Sequence, residues 1–303
     1  MQSNHCEVHA QVGGSLIHSA AARGDVDMIK SHLGSGEDIN AYCEKITGVS
    51  HIGRLQLHFT ARECTPLIIG VAARNIEVVQ YLLEHGANPN LKTKQGESSK
   101  SALTIAILKS TANKDFIPLI KVLLDAGADP NSKYNDPDLD VKDISALQVA
   151  LEAGMEQESF LLLDKGASAT DVSTDIQGIF GKRLVYPLHC SIECASPAIV
   201  DRLLSLGADV NFKASQNDFF TQVTALHTAA GRASSIKKDL RPVLKTLLDH
   251  GADINAVCEN GDTALHYAFK NDSNNEAQFL IEHGADQTIK NKQGKVASQC
   301  KNK

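Results

Sequence analysis

TALHYAFKNDSNNEAQFLIEHGADQT, Thr263 to Thr288, decides the fold. It opens on a threonine ahead of an apolar anchor, Leu265, and closes on Gly284 after the apolar run of AQFLIEHG. The threonine hydroxyl can accept a hydrogen bond from an otherwise orphan amide in the first turn of a helix. Glycine at the far end can take the left-handed conformation that closes a second helix. The stretch therefore reads as a helix, a tight turn and an antiparallel helix.

The same pattern recurs along the chain. Its first half reappears as SLIHSAA, TPLIIGVAA, SALTIAI, SALQVAL, YPLHCSI and TALHTAA, and its ending as GEDIN at Gly36, GANPN at Gly86, GADPN at Gly127, GASAT at Gly166, GADVN at Gly207 and GADIN at Gly251. From apolar anchor to closing glycine the interval is 19 residues in five of the seven copies, and 24 and 25 in the third and sixth, where KSTANKD and ASSIKKD place extra residues between the paired helices. Pro66 and Pro187 fit the first turn of a helix, where no amide hydrogen is lost. A single helix pair cannot bury its own apolar faces, so neighbouring pairs must stack into a continuous core.

From about Ser15 to Lys290 this pairing closely resembles the ankyrin repeat, whose period is 33 and whose hallmark is T-P-L-H-x-A. The resemblance implies an all-α chain, an ankyrin-repeat α-solenoid whose repeats are joined by β-hairpin fingers, the first finger enlarged. On that reading residues 1–14 are a polar leader. Seven repeats occupy about 15–40, 64–90, 101–131, 144–170, 186–211, 223–255 and 261–290. The stretch TIKNKQGKVASQC, Thr288 to Cys300, resembles the start of an eighth, so residues 291–303 are either a truncated cap or the beginning of further sequence. The resemblance also implies that His18, His189, His227 and His266 bridge each turn to neighbouring backbone. Ile68, Thr104 and Gln148 stand at that position in the other repeats, which leaves those turns less tied down.

The connectors depart from the family. Against a 33-residue period the six fingers exceed family length by 17, 3, 6, 8, 5 and 0 residues. The first contains GRLQLHFTARE, Gly53 to Glu63, in which Leu55, Leu57, Phe59 and Ala61 alternate with Gln56, His58 and Thr60. That period of two is a strand, with TGVSHIG as the returning strand or its turn. Such a hairpin either packs over neighbouring fingers or presents an edge or apolar face to a partner. The first two fingers carry Lys45, Arg54, Arg62, Lys92, Lys94 and Lys100 against Glu44, Glu63 and Glu97, a net charge of +3. A partner with an acidic patch would be steered there. The candidate partner-binding residues are Arg54, Gln56, His58, Phe59 and Arg62 on the finger, with Arg23, Arg74, Lys109, Arg232 and Lys270 near exposed ends of first helices.

Global composition narrows the function. A net charge of −6 over 303 residues gives no overall attraction to nucleic acid or anionic lipid, and no apolar run approaches the length that crosses a bilayer. Seven cysteines without a framework fit a reducing compartment, and the chain reads as a cytoplasmic monomer. Asp136, Asp138 and Asp140 resemble the start of a calcium loop, but Val141 and Leu147 stand where the loop needs glycine and glutamate. Cys190 and Cys194 have a spacing that zinc could use but fall at buried helix positions. No catalytic, metal or cofactor motif is identified. The chain therefore reads as a non-enzymatic adaptor that binds a protein through a concave groove and finger edge. The alternative is the targeting portion of a larger enzyme, or of a secreted bacterial effector acting in host cytosol.

Overall fold

The computed structural model describes residues 9–13, 16–43, 45–52, 55–61, 63–94, 99–112, 116–136, 141–178, 181–216 and 221–301. The chain divides into two compact units, residues 1–137 and 138–303.

The first unit begins with a strand, β1 (His9–Gly13), followed by α1 (Leu16–Arg23) and α2 (Val26–Gly34). Strands β2 (Lys45–Ile52) and β3 (Leu55–Ala61) come next, then α3 (Pro66–Ala72) with α4 (Ile76–Glu84), α5 (Ala102–Ser110) with α6 (Ile117–Asp125), and β4 (Lys133–Asp136). First helices pack on first helices, α1 on α3 on α5, and second helices on second helices, α2 on α4 on α6. Between the two layers Ile17, Ile29, Leu67, Val79, Leu82, Leu103, Ile107 and Leu123 are buried.

The second unit holds β5 (Val141–Ser145), α7 (Ala146–Glu152) with α8 (Glu156–Asp164), and β6 (Ser173–Gly178) with β7 (Gly181–Val185). After them come α9 (Pro187–Cys190), prolonged by a 3-10 turn over Ser191–Cys194, and α10 (Pro197–Ser205). The unit continues through β8 (Ala214–Gln216), β9 (Thr221–Val223), α11 (Ala225–Ile236), α12 (Arg241–Asp249), α13 (Ala264–Lys270) and α14 (Asn274–Glu282), and ends in a 3-10 turn over Ala297–Cys300. Strands β5, β6 and β7 pair antiparallel in chain order, as do β8 and β9. Helices α8, α10, α12 and α14 stack in sequence, and α11 packs on both α9 and α13.

The punctuation follows the chemistry of the turns. Thr65, Ser101 and Ser145 each accept the amide of the third helical residue, at 3.4, 3.2 and 3.2 Å. Gly86 closes α4 at φ 93°, a conformation costly for any residue with a Cβ. Inside α3, Gly70 lets the paired helix approach, since a Cβ there would stand 3.1 Å from Val78 Cγ1. Closing loops are pinned to one another within each unit: Asn40 Oδ1 accepts the Asn88 amide at 2.8 Å, and Asn211 Oδ1 the Asp253 amide at 2.9 Å. Where Thr170 replaces that asparagine, the Tyr186 hydroxyl accepts the Asp209 amide at 2.8 Å instead.

Three observations differ from the reading of the sequence. Residues 9–13 of the polar leader form a strand, because pairing with β2 supplies backbone partners that composition does not reveal. The extra residues of the sixth repeat lengthen α11 to 12 residues, ending at left-handed Lys237, rather than forming a loop. Gln148 does not leave its turn loose: its Oε1 accepts the Ser145 amide at 3.0 Å, and its Nε2 donates to the carbonyls of Asp171 at 3.2 Å and Val185 at 3.4 Å. A primary amide carries one acceptor and two donors, so it reproduces what a neutral imidazole does with its two nitrogens.

Candidate functional site

The first finger is a three-stranded antiparallel sheet in the order β1, β2, β3. β2 and β3 pair without a break from Ile46 opposite Ala61 to Ile52 opposite Leu55, and β1 lies along the other edge of β2 from His9 opposite Val49 to Gly13 opposite Lys45. Of the five candidates on this finger, Gln56, His58 and Phe59 stand on β3 opposite His51, Val49 and Gly48. Arg54 and Arg62 lie outside the described residues, as do Asp138 and Asp140 of the calcium-like stretch.

At the root of the finger the Cys43 amide donates to the Cys64 carbonyl at 3.0 Å, and both side chains are buried. Burial, with the Cys43 thiol beside it, pushes the Cys64 thiol up to about 12. Both cysteines are therefore protonated packing groups near neutral pH. Tyr42 links the first finger to the second: its hydroxyl donates to the Lys92 carbonyl at 3.1 Å, and the Lys94 ammonium sits 4.1 Å from the centre of its ring. The Lys94 amide donates to the Glu63 carbonyl at 3.3 Å, and Lys92 Nζ donates to the Lys133 carbonyl at 2.7 Å. A carbonyl and an aromatic face hold these two ammonium groups in place, and neither makes an ion pair among the described residues.

The remaining candidates occupy the opposite ends of first helices. Arg23, at the end of α1, is exposed and donates to Met28 Sδ at 3.1 Å. Arg74 is exposed in the left-handed turn after α3, at φ 61°. Next to it Asn75 Nδ2 donates to the Ala21 and Ala22 carbonyls at 3.1 and 3.3 Å, joining consecutive helix ends. Lys109, near the end of α5, is half-buried rather than exposed, and desolvation lowers its pKa. In the second unit Arg232 forms an ion pair with Glu193, and Lys270 with Asp262, which is itself buried. Those two cations have internal carboxylate partners, which the sequence reading did not assign to them.

The ten residues thus form no single cluster. Finger residues precede the first helices and the helix-end cations follow them, so within the first unit two rims are separated by one helix length, about 12 Å at 1.5 Å per residue. Tyr42, Lys92 and Lys94 belong with the finger, and sequence reasoning assigned them no individual role because Tyr42 and its partners lie some fifty positions apart. Cys190 and Cys194 serve packing: their thiols donate to Glu152 Oε1 and to the Leu151 carbonyl, each at 3.7 Å.

Stacked helix pairs joined by hairpins, with glycine-closed second helices and capped first helices, define a helical repeat protein. The family model for ankyrin repeats (3 copies) matches residues 4–134 and 211–291. The chain belongs to the ankyrin repeat family. It is 28% identical over 311 residues to the human ankyrin repeat and MYND domain-containing protein 1, covering 95% of this chain and 30% of that protein. It is 24% identical over 280 residues to the E3 ubiquitin-protein ligase KEG of Arabidopsis thaliana, covering 92% and 15%, and 28% identical over 217 residues to the mouse B-cell lymphoma 3 protein homolog, covering 71% and 41%. The chain thus spans less than half the length of each of these relatives. The crystal structure of the ankyrin repeat domain of Bcl-3 shares the fold, with a TM-score of 0.54 and 22% identity over 79% of this chain and 95% of that one. Ankyrin repeats are in general non-catalytic protein-binding modules. No described helix is long and apolar enough to cross a membrane.

Proposed function

We propose that this chain is an adaptor that holds a partner protein on the first unit, between the enlarged first finger and the ends of the first helices. The observation that carries this reading is the excess of positive charge at the first two fingers, +3 in sequence, with Lys92 and Lys94 held in place there by a carbonyl and an aromatic face and in no ion pair among the described residues. A cation fixed in this way attracts an acidic patch and loses little side-chain entropy on binding. The contacts are Gln56, His58 and Phe59, with Arg54 and Arg62 beside them in sequence, and Arg23, Arg74 and Lys109 on the opposite rim. Arg232 and Lys270 keep a secondary place in the second unit. The adaptor acts as a cytoplasmic monomer, engaging neither nucleic acid nor membrane.

The test is affinity capture from the protein's own cellular lysate with the full chain and with a variant lacking residues 48–62. Loss of the acidic partners with the variant, while its circular dichroism stays helical, is the expected result. Capture of the same proteins by a folded deletion variant contradicts the proposal. A second reading, in which the array targets a catalytic domain of a longer protein, is favoured by one observation: the relatives extend well beyond the matched region, and one of them is a ubiquitin ligase.

A further inference from the structure

We infer that the outer edge of β3 receives an extended acidic segment of a partner protein as an added strand. This deepens the preceding proposal and rests on its reading of the first finger as the docking element.

The inner edge of β3 is paired with β2 from Leu55 to Ala61, and β1 lies on the far side of β2. Among the described residues no strand is registered on the outer edge of β3. An exposed edge presents a row of backbone donors and acceptors that another chain can satisfy. The hairpin already accepts one strand in this way, since β1 comes from a segment distant in sequence and adds to β2 over five residues. Two residues beyond β3 the second finger meets the first, where the Lys94 amide donates to the carbonyl of left-handed Glu63 at 3.3 Å. There the second finger reverses, with Lys92 paired to Ser101 and the Thr93 amide donating to the Lys100 carbonyl at 3.0 Å. Seven strand residues offer about 23 Å of edge at 3.3 Å per residue.

Charge selects among visitors. Lys92 and Lys94 stand at the root and make no ion pair among the described residues, and in sequence the two fingers carry six cations, Arg54 and Arg62 among them, against Glu44, Glu63 and Glu97. An acidic segment lying along β3 gains from these cations, while a second copy of this chain would set the same cations against themselves.

The probe is an acetylated, amidated peptide of nine alternating glutamates and threonines, titrated into the full chain while backbone amide exchange is followed. The expected result is at least about tenfold slower exchange at alternate amides of residues 55–61, the mark of pairing along one edge. Affinity should fall several-fold as salt rises above about 0.5 M. A peptide with lysine in place of glutamate, and one with proline at its centre, should leave those amides unchanged. No slowing at saturating acidic peptide, or equal slowing with the lysine peptide, overturns the inference. Slowing that depends on protein concentration without peptide identifies a second copy as the occupant and overturns it equally. If the peptide fails while deletion of residues 48–62 still abolishes capture, strand addition is wrong and the docking role of the finger stands.

Discussion

At the position of His227 two side chains solve one problem by different chemistry. The His227 ring accepts the Thr224 amide at Nδ1, 3.3 Å away, so its Nε2 carries the proton and donates to the Asp262 carbonyl at 3.1 Å. Burial is the main cause that lowers its pKa from 6.5 to about 4. The unfolded chain therefore binds a proton from about pH 6.5 downward while the folded chain refuses it until about pH 4. Stability from the neutral ring is complete above 6.5 and is lost between 6.5 and 4. The shift corresponds to about 3 kcal/mol by linkage. Gln148 makes the equivalent bonds with an amide that does not titrate. A His227→Gln variant is expected to keep most of the stability at pH 7 and to lose roughly 2 kcal/mol less than the parent between pH 7 and pH 5, measured as urea midpoints. Equal losses in both proteins would show that the His227 ring does not carry this dependence. The sequence marked His227 as a bridging residue and missed the equivalence of Gln148, because a motif compares residue types while the turn needs only one acceptor and one donor.

At the scale of elements the helix pairs were legible and their fastenings were not. Regular spacing from Leu67 to Gly86, or from Leu265 to Gly284, exposes the pairs because capping and glycine closure are local. The bonds from Asn40 to Asn88 and from Tyr186 to Asp209 join residues of different repeats, and a recurring asparagine in GANPN or GADVN does not say what it touches. Strand β1 was hidden for the same reason: its partner lies more than thirty residues away. Burial of second-helix leucines does follow from the pattern, and Leu82 is fully buried in α4, which packs on both α2 and α6. Leu82→Ala is expected to destabilise the protein by about 2 to 5 kcal/mol through lost transfer energy and a residual cavity. In a chain of nearest-neighbour contacts the loss acts locally first. Amides of α2, α4 and α6 should exchange faster while those of α12 and α14 are unchanged, and uniform acceleration throughout would contradict this.

For the whole molecule, a net charge of −6 hides a polarity that individual contacts reveal. Arg232 and Lys270 are paired with carboxylates, while Lys92 and Lys94, like Lys213, are held by a carbonyl or an aromatic face and make no ion pair among the described residues. The positive excess of the first two fingers is legible in sequence, but the five helix-end cations stand there on equal terms: Arg232 meets Glu193 across 39 positions, and Lys270 meets Asp262 eight positions earlier, outside its own helix.

The most direct measurement is amide hydrogen exchange across the full chain, alone and bound to the captured partner. Slowing confined to β3, the finger roots around Tyr42 and Lys94, and the ends of α1 and α3 is the expected pattern. Slowing confined to α2, α4 and α6, with the fingers unchanged, would contradict the claim that the first finger and the first-helix ends hold the partner.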